Sequence, residues 1–183
     1  LPNYADFVGV GANPRGNGGG IAIMGIVASA TDAWTGSGAA GEMRGCTFRN
    51  LQWQAANNFS CFKPIKALRS TFEDCSFMGS TASGASAAQC TAGFWATDVC
   101  GGLIFRRCHI GTNGTTDPLS GLKFASTCNN SLIEDCTIGA ETVGILLSGN
   151  DTNTVIRKNS VWGSNATMST GISVGLYALV VDN

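Results

Sequence analysis

Short runs of alternating apolar and polar residues return along this chain at nearly regular intervals. Phe48-Arg49-Asn50-Leu51-Gln52-Trp53 is answered by Phe72-Glu73-Asp74-Cys75-Ser76-Phe77, then by Phe105-Arg106-Arg107-Cys108-His109-Ile110. Ile133-Glu134-Asp135-Cys136-Thr137-Ile138 and Ile156-Arg157-Lys158-Asn159-Ser160-Val161 follow, and Val180-Val181-Asp182-Asn183 repeats the beginning of the motif. The starts are 24, 33, 28, 23 and 24 residues apart. Strand-period alternation recurring at this interval predicts a solenoid, in which each repeat buries its apolar face only by stacking on its neighbours.

A second strand family runs in phase with the first. Gly93-Phe94-Trp95-Ala96, Gly121-Leu122-Lys123-Phe124 and Gly144-Ile145-Leu146-Leu147 each begin 12 residues ahead of the next main motif. Gly171-Ile172-Ser173-Val174 begins nine ahead. The alternation assigns two inward columns, Phe48-Phe72-Phe105-Ile133-Ile156-Val180 and Trp53-Phe77-Ile110-Ile138-Val161. Between them lies a corner column, Leu51-Cys75-Cys108-Cys136-Asn159-Asn183, where small polar or sulfur side chains stack on their equivalents.

This pattern of Ile-x-x-Asn-x-Ile type, with a Gly-Ile strand upstream, resembles the right-handed parallel β-helix of the pectate-lyase-like superfamily over residues 43–183. It implies an all-β solenoid of about five to six rungs, preceded by an irregular N-terminal cap segment at 1–42. Within that segment, Phe7–Gly11 and Ile21–Met24 read as strands. Asn13–Gly20 reads as a turn-rich loop, and 31–41 as a small-residue loop carrying Trp34. The stretch Asp6-Phe7-Val8-Gly9-Val10-Gly11-Ala12-Asn13-Pro14-Arg15 looks like the start of β-helical bacteriophage tailspikes and tail fibres. With no initiator Met and a last repeat broken off at Asn183, the expectation is a piece of a longer chain.

Charge separates two readings of the acidic pairs Glu73-Asp74 and Glu134-Asp135. Paired carboxylates can serve glycoside hydrolysis or bind calcium. The outward columns instead read Arg49-Glu73-Arg106-Glu134-Arg157 and Asn50-Asp74-Arg107-Asp135-Lys158-Asp182, with signs alternating from rung to rung. Rungs about 4.8 Å apart would place each acid between bases, so a structural ladder is expected and no catalytic residue is assigned to it. Asp98, Asp117, Glu141 and Asp151 lie in loops outside the ladder and share no column. They are the acids to examine if there is an active site. His109, the one histidine, reads as an outward surface residue.

Trp95 and Leu146 fall in an outward column with Lys123 and Ser173, and Trp162 also points outward. Each could contact carbohydrate or a neighbouring subunit. The eight cysteines include no CxxC pair, so no zinc site, metal or other cofactor is expected. Reduced packing thiols are the simplest account, and Cys100–Cys128 is the best disulfide candidate.

Net charge is −1 and only 13% of residues are charged, against about 25% in typical domains. Neither a nucleic-acid footprint nor membrane insertion is expected. The tailspike resemblance implies a homo-oligomer, a trimer, that contacts other virion proteins and cell-surface polysaccharide, located in the virion after assembly in a host cytoplasm. The superfamily resemblance leaves a secreted polysaccharide hydrolase or lyase, or a non-catalytic carbohydrate-binding module, as alternatives.

Overall fold

A computed structural model describes residues 4–9, 23–26, 42–55, 59–79, 90–112, 117–163, 168, 170–175 and 177–183. The turn-rich run 13–20 and the Trp34 loop lie outside the described residues. The chain is an all-β parallel solenoid with four faces. Face A holds seven strands: Asp6–Val8, Thr47–Arg49, Thr71–Glu73, Ile104–Arg106, Leu132–Glu134, Val155–Arg157 and Leu179–Val181. Face B holds Ile23–Ile26, Gln52–Ala55, Ser76–Gly79, His109–Thr112, Thr137–Gly139 and Ser160–Trp162. Face C holds Ser60–Phe62, Ala92–Ala96, Ser120–Phe124, Val143–Leu147 and Thr170–Ser173. Face D holds Glu42–Arg44, Lys66–Leu68, Cys100–Gly101 and Cys128–Asn129. Among the described residues, four complete turns therefore carry a strand on every face, with partial turns on either side. The strand at Asp6–Val8 pairs in register with Thr47–Arg49, which joins part of the N-terminal segment to face A.

Each main motif, read from sequence as one run with a corner, is two strands on different faces. The bend has a conformational cause. Every positive-φ residue among the described residues falls in one of two columns, with φ between 50° and 70°. Asn50, Asp74, Arg107, Asp135 and Lys158 turn the chain from face A to face B, and Asp182 holds the same conformation after the last face A strand. Tyr4, Gly45, Arg69, Gly102, Asn130, Asn153 and Tyr177 form the corner three residues ahead of each inward face A residue. A single left-handed residue reverses the pleat locally and redirects the strand, at a cost of about 1–2 kcal/mol for a side chain other than glycine.

The amide after such a bend is turned out of the backbone ladder, and side chains of the next turn take it. Cys46 N donates to Ser70 Oγ at 3.1 Å, Leu103 N to Ser131 Oγ at 3.1 Å and Ser131 N to Thr154 Oγ1 at 3.4 Å. At the other corner Cys136 N donates to Asn159 Oδ1 at 3.0 Å and Asn159 N to Asn183 Oδ1 at 2.9 Å. A buried amide left without such an acceptor costs about 1–3 kcal/mol, which explains why small polar residues recur at these inward corners.

The third corner, from face B to face C, needs glycine for a different reason. A β-carbon on Gly93 or Gly121 would stand 2.6 or 2.5 Å from Cγ2 of Ile110 or Ile138, and one on Gly144 would run into Val161. The constant phase of the Gly-led strands thus records a close approach of two backbones around the face B core residues.

Stacked side chains line the interior of the described turns. Phe7, Phe48, Phe72 and Phe105 stack with centroid spacings of 5.0, 4.9 and 4.9 Å and near-parallel planes. Trp53 stacks on Phe77 and Phe62 on Phe94. Farther along, the same columns become aliphatic: Ile133 and Ile156, Ile138 and Val161, Ile145 and Ile172. All eight cysteines are buried, and none forms a disulfide. Cys75 and Cys108 donate to the carbonyls of Phe48 and Phe72, one turn back. Cys100 and Cys128 are register partners, but their thiols turn to Asp98 O and Ser131 Oγ. Burial pushes Cys100 up to about 12 and Cys128 higher still.

Candidate functional site

Three outward features carry chemistry. The first is the ion-pair ladder on face A. Glu73 receives Arg49 at 3.2 Å and Arg107 at 2.6 Å, and Arg107 also holds Asp74 at 2.9 Å. Glu134 is clamped by Arg106 at 2.6 Å and Arg157 at 2.7 Å. The Arg157 hydrogen bonds first, and Arg106 with it, hold the Glu134 carboxyl below its ordinary range. Asp74 and Arg107 occupy left-handed bends, which swings Arg107 onto the preceding turn and lets it bridge both acids. Asp135 and Lys158, at the same bend one and two turns on, are exposed and form no ion pair among the described residues. The acids Glu73, Asp74 and Glu134 are each hydrogen-bonded to arginine from a neighbouring turn.

The second feature is on face C. Trp95 is half-buried, and a lysine from the turn on either side reaches its ring: Lys63 Nζ lies 4.6 Å and Lys123 Nζ 4.3 Å from the centroid. In-register pairing of Trp95 with Lys123, and of Lys123 with Leu146, builds this column. Ammonium groups over an indole face are attracted by its quadrupole. Leu146 continues the column, half-buried, between Lys123 and Ser173.

The third feature brings together residues that share no sequence column. On face B the outward position after Ile110 and Ile138 is glycine in both turns, leaving a notch between Met78 and Trp162. The buried Asp117 carboxylate folds into it. A β-carbon on Gly139 would meet Asp117 Oδ2 at 2.7 Å, and one on Gly111 would stand 3.4 Å from both Asp117 Oδ1 and His109 Nε2. His109 and Trp162 belong to turns two apart, yet Gly139 between them lets their rings approach to 6.2 Å. Glu141 is buried on the adjacent turn, its amide bonded to Pro118 O at 2.9 Å. An acid, an imidazole and a partly exposed indole thus meet at the corner between faces B and C. The signal that could have found this grouping is the repeated dipeptide Ile110-Gly111 and Ile138-Gly139.

The other two loop acids are elsewhere. Asp98 pairs with Lys66 at 3.6 Å on face D. Asp151 is fully buried and accepts the Cys128 amide at 2.9 Å; burial raises its carboxyl above the ordinary range. No group of three or more His, Cys, Asp or Glu side chains is placed to share a metal ion among the described residues.

A sequence model of the family described as "Right handed beta helix region" matches residues 26–178. No curated protein and no solved structure matches the chain.

Proposed function

The chain belongs to the right-handed β-helix family, and on that premise we propose that it is a rigid rod segment of a bacteriophage virion protein, a tailspike, tail fibre or decoration protein. In this reading it assembles as a trimer, contacts other virion proteins and presents its corner loops to cell-surface polysaccharide. The observation that carries the reading is the self-satisfied character of the repeat. The arginine–carboxylate ladder on face A and the stacked aromatic interior spend the chain's charged and apolar side chains on holding turn to turn. Such a design suits load-bearing and display more than turnover. The mass of the assembled protein in solution tests it: a trimer is expected, and a monomer at micromolar concentration would overturn the assembly.

A second reading, a polysaccharide hydrolase, lyase or binding module, has the His109–Asp117–Trp162 grouping in its favour. Binding or cleavage of a capsular or lipopolysaccharide glycan that is lost in both Asp117→Asn and Trp162→Ala, with the β-sheet circular dichroism retained, would move this reading ahead of the first. Unchanged glycan binding in both variants would remove the grouping from consideration.

A further inference from the structure

Two thiols, Cys61 and Cys90, lie outside both the interior column of Cys75, Cys108 and Cys136, whose thiols contact one another, and the register pair Cys100 and Cys128. Sγ of Cys61 and Sγ of Cys90 lie 3.8 Å from each other, and both residues are buried. Each also reaches a backbone carbonyl, Cys61 that of Met78 and Cys90 that of Ala92, at 3.2 Å. They occupy consecutive turns at the corner between faces B and C, where Ser60 pairs with Ala92 and Thr91 N donates to Phe59 O at 2.9 Å. A disulfide requires the sulfurs to close to about 2.05 Å, less than 2 Å of further approach. The register-paired Cys100 and Cys128 are instead turned to separate partners.

We propose that Cys61 and Cys90 are a built-in disulfide-forming pair, oxidised by a low-molecular-weight disulfide when the chain passes from a reducing to an oxidising compartment. One cysteine loses its proton and attacks the external disulfide, forming a mixed disulfide and releasing one external thiolate. The second, also deprotonated, attacks the protein-side sulfur and releases the other. The released thiolates take up the two protons. Two protein thiols are oxidised and one external disulfide is reduced to two thiols. The new bond ties the strand at Ser60–Phe62 to the start of the strand at Ala92–Ala96, cross-linking two consecutive turns of face C. The inference is independent of the virion reading: it holds for any β-helix of this sequence that leaves a reducing compartment.

The folded protein is incubated with glutathione disulfide and, in parallel, with the smaller uncharged hydroxyethyl disulfide. It is then unfolded in alkylating reagent and mapped by non-reducing peptide mass analysis. The expected result is six alkylated cysteines and one cross-linked peptide pair containing Cys61 and Cys90. Cys61→Ser and Cys90→Ser should each abolish that pair and leave no other internal bond, with the β-sheet circular dichroism unchanged. A Cys100–Cys128 cross-link in its place, mixed disulfides without an internal bond, or eight free thiols after both reagents would overturn the proposal.

Discussion

The backbone N–H of Cys136 donates to the side-chain Oδ1 of Asn159, one turn farther along, at 3.0 Å. Asn159 Nδ2 donates in the other direction to Ile133 O at 3.0 Å, so one amide side chain serves both an orphan donor and an acceptor at a buried bend. Asn159→Ala should destabilise the protein by about 2 kcal/mol, the cost of a buried amide left without a partner plus one lost hydrogen bond. Urea unfolding with an unchanged slope checks this. A loss below about 0.5 kcal/mol would mean that water or the backbone replaces the side chain.

Glu134 is the most enclosed acid of the ladder, 6% exposed, while its arginine partners stay 38% and 48% exposed on their side chains. Solvent screening at the arginines limits Glu134→Gln to about 1 kcal/mol. Because the folded carboxyl lies below its unfolded value, its contribution is fully present above about pH 4.3. It is lost as pH falls through the lower, folded value. The stability of Glu134→Gln should therefore converge on that of the parent in strong acid, and a constant gap across pH 2–7 would contradict the linkage.

Phe105 is stacked on Phe72 and edge-on to Phe94, with no exposed surface. Phe105→Ala should cost about 3–5 kcal/mol, whereas Ile133→Val in the next turn should cost about 0.5–1.5 kcal/mol. Thermal unfolding of the two variants side by side separates the aromatic from the aliphatic part of the same column.

Lys158 holds φ at 55°, is exposed, and forms no ion pair among the described residues. Lys158→Gly should raise stability by about 0.5–1 kcal/mol, the left-handed strain relieved less the added freedom of the unfolded chain. Arg107→Gly at the equivalent bend should instead destabilise, since Arg107 bridges Glu73 and Asp74. Opposite signs at two equivalent bends would distinguish conformational strain from charge pairing.

The features legible in the sequence were those repeated in every turn and large enough to see. The column from Phe48 to Ile156 and the Gly93-Gly121-Gly144 phase are visible because each turn must reuse the same inward residue and the same close approach. Face D was not legible. Met43, Ala67, Cys100 and Cys128 lie on strands of two or three residues, too short for alternation to register. The left-handed corner preceding face A was hidden because glycine, arginine and asparagine all fill it, so no residue type marks it. The grouping of His109 with Asp117 escaped for another reason. It depends on two missing side chains, Gly111 and Gly139, whose places the Asp117 carboxylate and the His109 ring approach.

The change of the inner columns from rings to branched aliphatics gives this rod a grain. In a linear array each turn is held only by its neighbours, so the weakest interface sets where opening begins. Peeling should start among the turns lined by Ile133, Ile156 and Ile172 and arrest at the Phe94–Phe105 contact, where ring packing adds about 0.5–1.5 kcal/mol per pair. A molecule built this way comes apart like a ratchet released from one end, and two rods of equal length would differ in toughness according to which end bears the pull.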